Sequence, residues 1–428
     1  MMTRILTKNA DSLLHNKVYT RVYTAFATAT FGDWFDTLAI QVLVGYRWQA
    51  SPVMLGLIPV AVALPGILLG ALAGSVADRF NKLKLMRICD LLTALMTVLI
   101  LFAPSMYWLL PLLALRSALS TLNVPAQQSL TRSIVREDQL MQASSLNGIV
   151  NQGSKIAGPL LGGLALSLLS PQWCILLNSI LRLGSFMLLL TVKNTPAAGE
   201  GPSGGEEEHI PLRRMWIEGW VFIFRSRLLL NTLLFGLLGS LALQMIDFQF
   251  TSLFRLLAPQ QEGLLGWMVA ASGVTAVATI LAMNKVNRNK GYGLLLGGGE
   301  LLIGLSVAGF GLLQPGTAVY PVLLLGAVLG VGNGILMITF NYCLQKETPP
   351  HMIGRVFGIQ NTVLSAIMII APLLGGLLVQ ASGPSSIFTI IGTVVAVLGI
   401  GAILLSRVLW PEAKPAAHAE VPATEYLG

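Results

Sequence analysis

Long apolar runs recur along the whole chain, each about the 20 residues that cross the ~30 Å hydrocarbon core of a bilayer as a helix. Short polar breaks separate these runs. The composition agrees, because 54% of the 428 residues are hydrophobic, 11% are charged and the mean hydropathy is +0.73. Ordinary soluble domains are far more polar. The sequence therefore predicts an all-α integral membrane protein.

Twelve membrane-spanning helices are predicted from these runs. The predicted spans are residues 22–46, 53–77, 83–104, 107–131, 140–168, 172–193, 229–254, 263–284, 291–313, 318–344, 356–381 and 385–408. Of the 27 Lys and Arg residues, all but Arg47, Arg255 and three deep within the spans fall in segments, or at span ends, that are cytoplasmic when both termini lie inside. This distribution follows the positive-inside rule. We therefore expect a multi-pass protein of the cytoplasmic membrane, with both termini cytoplasmic and no nucleic-acid partner for its net charge of +8.

A motif in the first half of the chain returns in the second half. Residues 158–164 read Gly-Pro-Leu-Leu-Gly-Gly-Leu, and residues 372–377 repeat Pro-Leu-Leu-Gly-Gly-Leu at the end of another apolar run. A single repeat of half the length predicts two homologous bundles that face each other. The expected organisation is a lead-in (1–21), an N-terminal six-helix bundle (22–193), a linker (194–228), a C-terminal six-helix bundle (229–408) and a tail (409–428).

The linker ends in an apolar pattern of its own. Trp216, Trp220, Val221 and Phe224 recur at helical spacing between basic residues. This pattern predicts an amphipathic helix that lies on the inner membrane surface.

The loop after the second span carries a recognisable motif. It reads Gly74-Ser75-Val76-Ala77-Asp78-Arg79-Phe80-Asn81-Lys82-Leu83-Lys84. We expect a tight turn there, with Asn81 as a residue that tolerates left-handed backbone geometry. The string resembles the cytoplasmic loop signature of the major facilitator superfamily, Gly-x-x-x-Asp-Arg-x-Gly-Arg-Arg/Lys, with Asn81 replacing the second Gly and Lys82 the first Arg.

Further motifs extend the resemblance over nearly the whole chain. Leu115-Arg116 is similar to the family's intramembrane arginine motif, and 158–163 is similar to the motif that family members associate with antiport, with Ser154 and Lys155 departing from it upstream. Gly32-Asp33, Val124-Pro125-Ala126 and Gly354-Arg355-Val356 look most like the macrolide-efflux-like branch of drug:proton antiporters. The resemblance implies the major facilitator fold, with twelve transmembrane helices in two pseudo-symmetric bundles. It also implies conformational gating at Gly74, Asp78, Arg79, Lys82, Gly158, Pro159, Gly162, Gly163, Arg355 and Pro372.

Charges inside the predicted spans mark the candidate functional site, because each costs at least ~2.5–3.5 kcal/mol at mid-span. They are Asp33, Asp36, Asp90, Asp247, Glu300, Arg116, Lys155 and Arg182. Acids outnumber bases, and a buried carboxylate without a cationic partner tends to take up a proton. Asp33 and Asp36 share a helical face and are expected to titrate as a pair. Proton coupling is therefore assigned to Asp33, Asp36, Arg116, Lys155 and Asp247.

Each of these charges also has a purely structural interpretation. Asp33 or Asp36 is then a packing ion pair with Lys155 or Arg116 that is silent in transport. Asp90 anchors Arg87 or the loop lysines. Arg182 and Glu300 fall on spans that the resemblance implies are peripheral, which favours a structural role for both.

The predicted function is secondary active transport, namely proton-coupled efflux of amphiphilic drugs or secondary metabolites by alternating access. The residues suited to a lipophilic pocket are Trp34, Phe35, Met245, Phe248, Trp267 and Met337. No His or Cys cluster, phosphate-binding loop or nucleophile motif is present, so neither a cofactor, a metal nor enzymatic activity is expected. The expected partners are an amphiphilic small molecule, protons and the lipid bilayer, with the chain acting as a monomer.

Three other functions stay open at this point. Export of a siderophore or a divalent metal is one, and nutrient uptake is another. A non-transporting membrane sensor or assembly partner is the third, although the buried charges argue against it.

Overall fold

The computed structural model describes residues 13–193, 212–283, 291–350 and 352–410, and within them not the side chains of 14, 71–72, 74–75, 78–79 and 212–215. All regular elements in these ranges are helical. They are α1 (Lys17–Val42), α2 (Pro52–Arg79), α3 (Lys82–Ile100), α4 (Met106–Ile134), α5 (Leu140–Leu168), α6 (Pro171–Leu190), α7 (Leu212–Arg225), α8 (Arg227–Ile246), α9 (Phe250–Leu257), α10 (Leu264–Met283), α11 (Tyr292–Leu312), α12 (Val319–Glu347), α13 (Ile353–Ser382), α14 (Pro384–Leu404) and α15 (Ser406–Leu409).

Each predicted span coincides with a long helix in the described part of the chain. The seventh span is α8 and α9 joined by a 3-10 turn at Asp247–Gln249, and α1 ends in a π-helical turn at Leu43–Arg47. Nine stretches of the described residues are long and apolar enough to cross a membrane by length and composition. The remaining three, α1, α3 and α5, are more polar and hold many of the charges discussed below. The prediction of a twelve-helix membrane protein is confirmed.

The turn between α2 and α3 differs from the prediction. Asn81 is the N-cap of α3, with extended backbone (φ −63°, ψ 113°), and its side chain accepts a hydrogen bond from the Lys84 N–H at 3.0 Å. The first N–H groups of a helix lack intrahelical partners, which is why a capping Asn stabilises this position. Asn81 therefore acts as a helix cap, and the prediction of left-handed backbone geometry is wrong.

The long helices form two six-helix bundles. In the N-terminal bundle α1 packs on α5 and α6, while α4 packs on α2 and α3. In the C-terminal bundle α8 packs on α12 and α13, and α11 packs on α12 and α14. The amphipathic linker helix α7 lies against α8 and the start of α13.

The bundles meet each other mainly through α5 with α10 and α2 with α13. We call the end of the molecule where α1 begins the terminal end, and the opposite end, where α2 begins, the far end. A Cβ on Gly163 would lie 2.7 Å from the Ala270 nitrogen and 2.8 Å from the Gly266 oxygen. Only glycine therefore fits at this position. Gly376 similarly faces the Pro52 carbonyl. All five of these residues lie near the far end, which is where the bundles close on each other.

Candidate functional site

A cavity of about 340 Å³ lies between the two bundles. Its apolar walls are formed by Trp34, Leu38, Ile156, Pro159, Leu243, Phe250, Leu265, Met268, Val269, Ala276, Ile280, Leu329 and Met337. The uncharged polar groups are Thr37, Gln41, Gln244, Ser272 and Asn333. Two ionisable side chains complete the lining, Lys155 from α5 and Asp247 from the turn after α8. An apolar pocket with a few polar groups suits a small amphiphilic molecule.

Two of the six predicted pocket residues, Trp34 and Met337, line this cavity. Phe35, Met245, Phe248 and Trp267 do not line it. Phe35 follows Trp34 directly, and consecutive helical residues point in different directions. The Met245 carbonyl faces Gly375 of α13, Phe248 packs against the hydrophobic core, and Trp267 is exposed.

Helical spacing identifies cavity residues that the sequence interpretation missed. Leu38 and Gln41 stand four and seven positions after Trp34, on the same face of α1, and both line the cavity. An interpretation that followed the Trp34 face along the helix would have found them. Selecting aromatic and flexible residue types without regard to helical face did not.

Two glycines of the repeated motif hold Trp34 in place. A side chain on Gly158 would collide with the Trp34 indole ring, and one on Gly162 would collide with the Trp34 carbonyl. These glycines lie one helical turn apart on α5, so they form a groove for α1. The motif therefore shapes the cavity wall as well as the far-end contact at Gly163.

The first buried ion pair joins Asp36 of α1 to Arg116 of α4. The Asp36 side chain is fully buried, and the same Arg116 nitrogen donates weakly to the Thr97 hydroxyl at 3.4 Å. The structural alternative for Asp36 had named Arg116 as a partner, and this contact is present.

The second buried network centres on Arg182 of α6. Its guanidinium donates to Asp33 at 2.6 Å and to Asp90 at 3.1 Å. Asp90 also accepts hydrogen bonds from the Asn123 amide at 2.8 Å and the Ser185 hydroxyl at 2.6 Å. Asp90 is thus fully partnered and 1% exposed, whereas 41% of the Asp33 side chain is exposed.

These contacts correct the expectation for Asp90 and identify the partners of Arg182. Asp90 does not anchor Arg87, whose guanidinium instead donates to the carbonyls of Leu189 and Val192. Arg182, on the span expected to be peripheral, joins Asp33 of α1 to Asp90 of α3. Its sequence signal was its position inside a span, but no spacing rule connected it to Asp33 across 149 residues.

Lys155 does not pair with Asp33 or Asp36, and among the described residues it makes no ion pair. Its side chain is exposed to the cavity. The predicted charges inside the N-terminal spans are thus three acids and three bases, of which Asp36, Asp90 and Arg182 are buried. The surplus acids, Asp247 and Glu300, lie in the C-terminal bundle. Glu300 is 1% exposed, and neither carboxyl oxygen has a hydrogen-bond partner among the described residues.

The predicted gating residues fall into three groups. Gly163 and Pro372 lie at contacts between the bundles, where Gly56 faces the Pro372 carbonyl. Arg355 lies in the first turn of α13 and donates to Glu218 of α7 at 2.7 Å, while Lys82 is the first residue of α3. The side chains of Gly74, Asp78 and Arg79, at the end of α2, lie outside the described residues.

Hydrogen bonds reinforce the closed far end. Arg255 of α9 donates to the Gly45 carbonyl at 2.8 Å and the Ala50 carbonyl at 3.1 Å. The Gln249 amide donates to the Pro52 carbonyl at 2.9 Å. All three acceptors belong to the N-terminal bundle. Side chains of the C-terminal bundle therefore donate hydrogen bonds to the backbone of the N-terminal bundle.

Twelve membrane-length helices in two bundles around a cavity define a multi-pass membrane transporter. The sequence profile of the Major Facilitator Superfamily matches residues 22–372, and the chain belongs to this family.

Relatives and solved structures are consistent with this membership. The chain is 29% identical over 377 residues to the uncharacterized MFS-type transporter YfiS of Bacillus subtilis, covering 87% of this chain and 89% of YfiS. It is 27% identical over 363 residues to the enterobactin exporter EntS of Escherichia coli, covering 79% of each chain.

Solved structures share the fold. A mutant of the nucleoside transporter NupG superposes with a TM-score of 0.70 at 13% identity, covering 91% of this chain and 99% of NupG. A bacterial homolog of the lysosomal transporter Spinster, in an inward-facing and unoccupied conformation, gives a TM-score of 0.64 at 13% identity, covering 92% and 96% of the two chains. The predicted fold class is confirmed.

Proposed function

We propose that the protein exports amphiphilic small molecules across the cytoplasmic membrane in exchange for protons, with its terminal end on the cytoplasmic side. The observation that carries the proposal is the apolar cavity between the bundles, which lies beside a buried network whose outermost carboxylate, Asp33, is half-exposed. Amphiphiles partition into the membrane and are therefore concentrated near such a cavity. Its apolar walls bind the apolar parts of these molecules.

Alternating access is supported by where the bundles touch. Contacts through Gly163, Gly376 and Arg255 lie near the far end. With the terminal end in the cytoplasm, the described conformation is closed to the outside and receives substrate from within. Rocking of the bundles about the cavity would exchange this state for one that opens outward.

Proton coupling is supported by the unequal exposure of the Arg182 partners. A proton that reaches the half-exposed Asp33 carboxylate neutralises it and removes its ion pair with Arg182. Arg182 then keeps only Asp90, which is sealed from solvent. Because charges interact strongly in a low-dielectric interior, this change alters how firmly α1 is held to α6. The Asp36–Arg116 pair on the same helix would respond to the movement of α1.

Transport in proteoliposomes tests the proposal. Purified protein is reconstituted, a fluorescent amphiphile is loaded, and its movement is followed with and without an imposed pH gradient. We expect movement against the substrate gradient only when protons can flow in the opposite direction. Transport that ignores the pH gradient would exclude proton coupling, and the absence of transport of any amphiphile would exclude the substrate class.

Export of a siderophore is the second candidate, and the similarity to proteins named enterobactin exporters favours it. Competition separates the two candidates. A siderophore that blocks transport of the fluorescent amphiphile at far lower concentration than unrelated amphiphiles supports the second candidate. Equal competition by all amphiphiles supports the first.

A further inference from the structure

We propose that the substrate is a zwitterionic amphiphile, whose anionic group binds Lys155 and whose cationic group binds Asp247. This inference rests on the proposed function, because it concerns the same cavity and narrows the class of molecule that the cavity binds. It assigns the two ionisable side chains of the lining to substrate binding.

The two side chains are available to a ligand. Both line the cavity and both are exposed to it. Within the described part of the chain neither forms an ion pair. An isolated charge in an apolar environment is costly, and a ligand group of opposite charge offsets that cost.

The described charges inside the spans of the N-terminal bundle are already engaged with one another, Lys155 excepted. Asp36 is held by Arg116, and Asp33 and Asp90 are both held by Arg182. Every described carboxylate inside the N-terminal bundle is therefore already paired. Arg255, the described cation nearest Asp247 in the sequence of its own bundle, donates to backbone carbonyls at the far end.

The position of the two charges explains why both ends of the ligand matter. Lys155 belongs to α5 of one bundle, and Asp247 follows α8 of the other. The cavity that they share is lined mainly by apolar groups, which include Trp34 and Phe250. A molecule with an apolar body and opposite charges at its ends would connect the two bundles. Its binding energy would then favour a state in which the bundles close around it.

A matched set of four ligands tests this inference by binding alone. The zwitterion is an aminomethyl-biphenyl-carboxylic acid, and blocking its amine, its carboxylate or both gives an anion, a cation and a neutral molecule with the same body. Affinities are measured by calorimetry on the intact protein in lipid nanodiscs. We expect the zwitterion to bind at least about tenfold more tightly than the neutral molecule, as for other buried charge pairs.

The variants assign each charge to its side chain. Lys155→Met is expected to weaken the zwitterion and the anion about tenfold or more while leaving the cation unchanged. Asp247→Asn is expected to weaken the zwitterion and the cation while leaving the anion unchanged. Lys155→Arg should retain binding, and Lys193→Met, which removes an exposed lysine at the end of α6, should have no effect.

Two results would overturn the inference. One is equal affinity of all four ligands for the unmodified protein. The other is a uniform loss of all four ligands in Lys155→Met or Asp247→Asn, which indicates a structural role. Both outcomes are independent of the pH gradient, so a failure of proton coupling in proteoliposomes and a failure of charge recognition are distinguishable.

Discussion

Arg182 and Asp33 form an ion pair of 2.6 Å in which the cation is buried and the carboxylate is half-exposed, with 4% and 41% of their side chains accessible. The same guanidinium holds the sealed Asp90. The two carboxylates that Arg182 holds therefore differ in exposure, because Asp33 is accessible and Asp90 is sealed inside the bundle.

Asp33→Asn and Asp90→Asn are expected to have different consequences. Asp33→Asn should abolish proton-driven transport with a stability cost of about 0–1 kcal/mol, because the Asp33 side chain is half-exposed and Arg182 keeps its pair with Asp90. Asp90→Asn should destabilise the protein by about 3–5 kcal/mol, because it weakens a buried pair. Proton-driven uptake and thermal unfolding in detergent measure the two effects. Proton coupling that survives in Asp33→Asn would move the proton site elsewhere.

Removing one charge of the Asp36–Arg116 pair is predicted to destabilise the protein more than removing both. Asp36→Leu leaves the largely buried Arg116 without its carboxylate and should cost about 3–5 kcal/mol. Removing both charges, with Arg116→Leu added, should recover part of that loss because no unpaired ion remains. Thermal unfolding of the two single variants and the double variant forms the test. Additive losses in the double variant would contradict the pairing argument.

Gly163→Ala should prevent the bundles from closing at the far end. The added methyl group would meet the backbone of Gly266 and Ala270, which cannot rotate away. We expect slower transport and a longer distance between spin labels at Trp173 and Leu256, both exposed near the far end. The three native cysteines are buried, so the introduced cysteines label selectively.

Gly148→Ala is the matched control on the same helix, because a Cβ at Gly148 meets nothing within 4 Å. It should leave both the transport rate and the spin-label distance unchanged. Equal changes in transport rate and spin-label distance in Gly163→Ala and Gly148→Ala would contradict the packing argument.

Arg255→Met is expected to loosen the far end by removing the hydrogen bonds to Gly45 and Ala50. A cysteine introduced at Gln41, in the cavity, reports the change through its reaction with a membrane-impermeant maleimide added from the far-end side. Its labelling should rise severalfold in Arg255→Met. Arg47→Met removes another far-end arginine, one that is exposed, and should have no such effect.

The locations of the helices were largely predictable, but the partners of the charges were not. Apolar runs and the repeat at 158–164 predicted twelve spans in two bundles, which are present. The same sequence placed Asp33 and Asp36 together as one proton-binding pair. In the structure Asp33 turns to α6 and Asp36 to α4, because three positions along a helix differ by about 60° in direction.

Sequence by itself determined that the chain crosses a membrane, because apolar length and positive charge in loops act locally and need no tertiary contact to be recognised. It also determined which residues are costly to bury. Only the tertiary structure decided how those charges are divided between packing and the cavity. Arg182 meets Asp33 from 149 positions away in the sequence, and Lys155 lines the same cavity as Trp34 and Asp247. Those outcomes depend on the rotation of each helix against its neighbours, which no local pattern specifies.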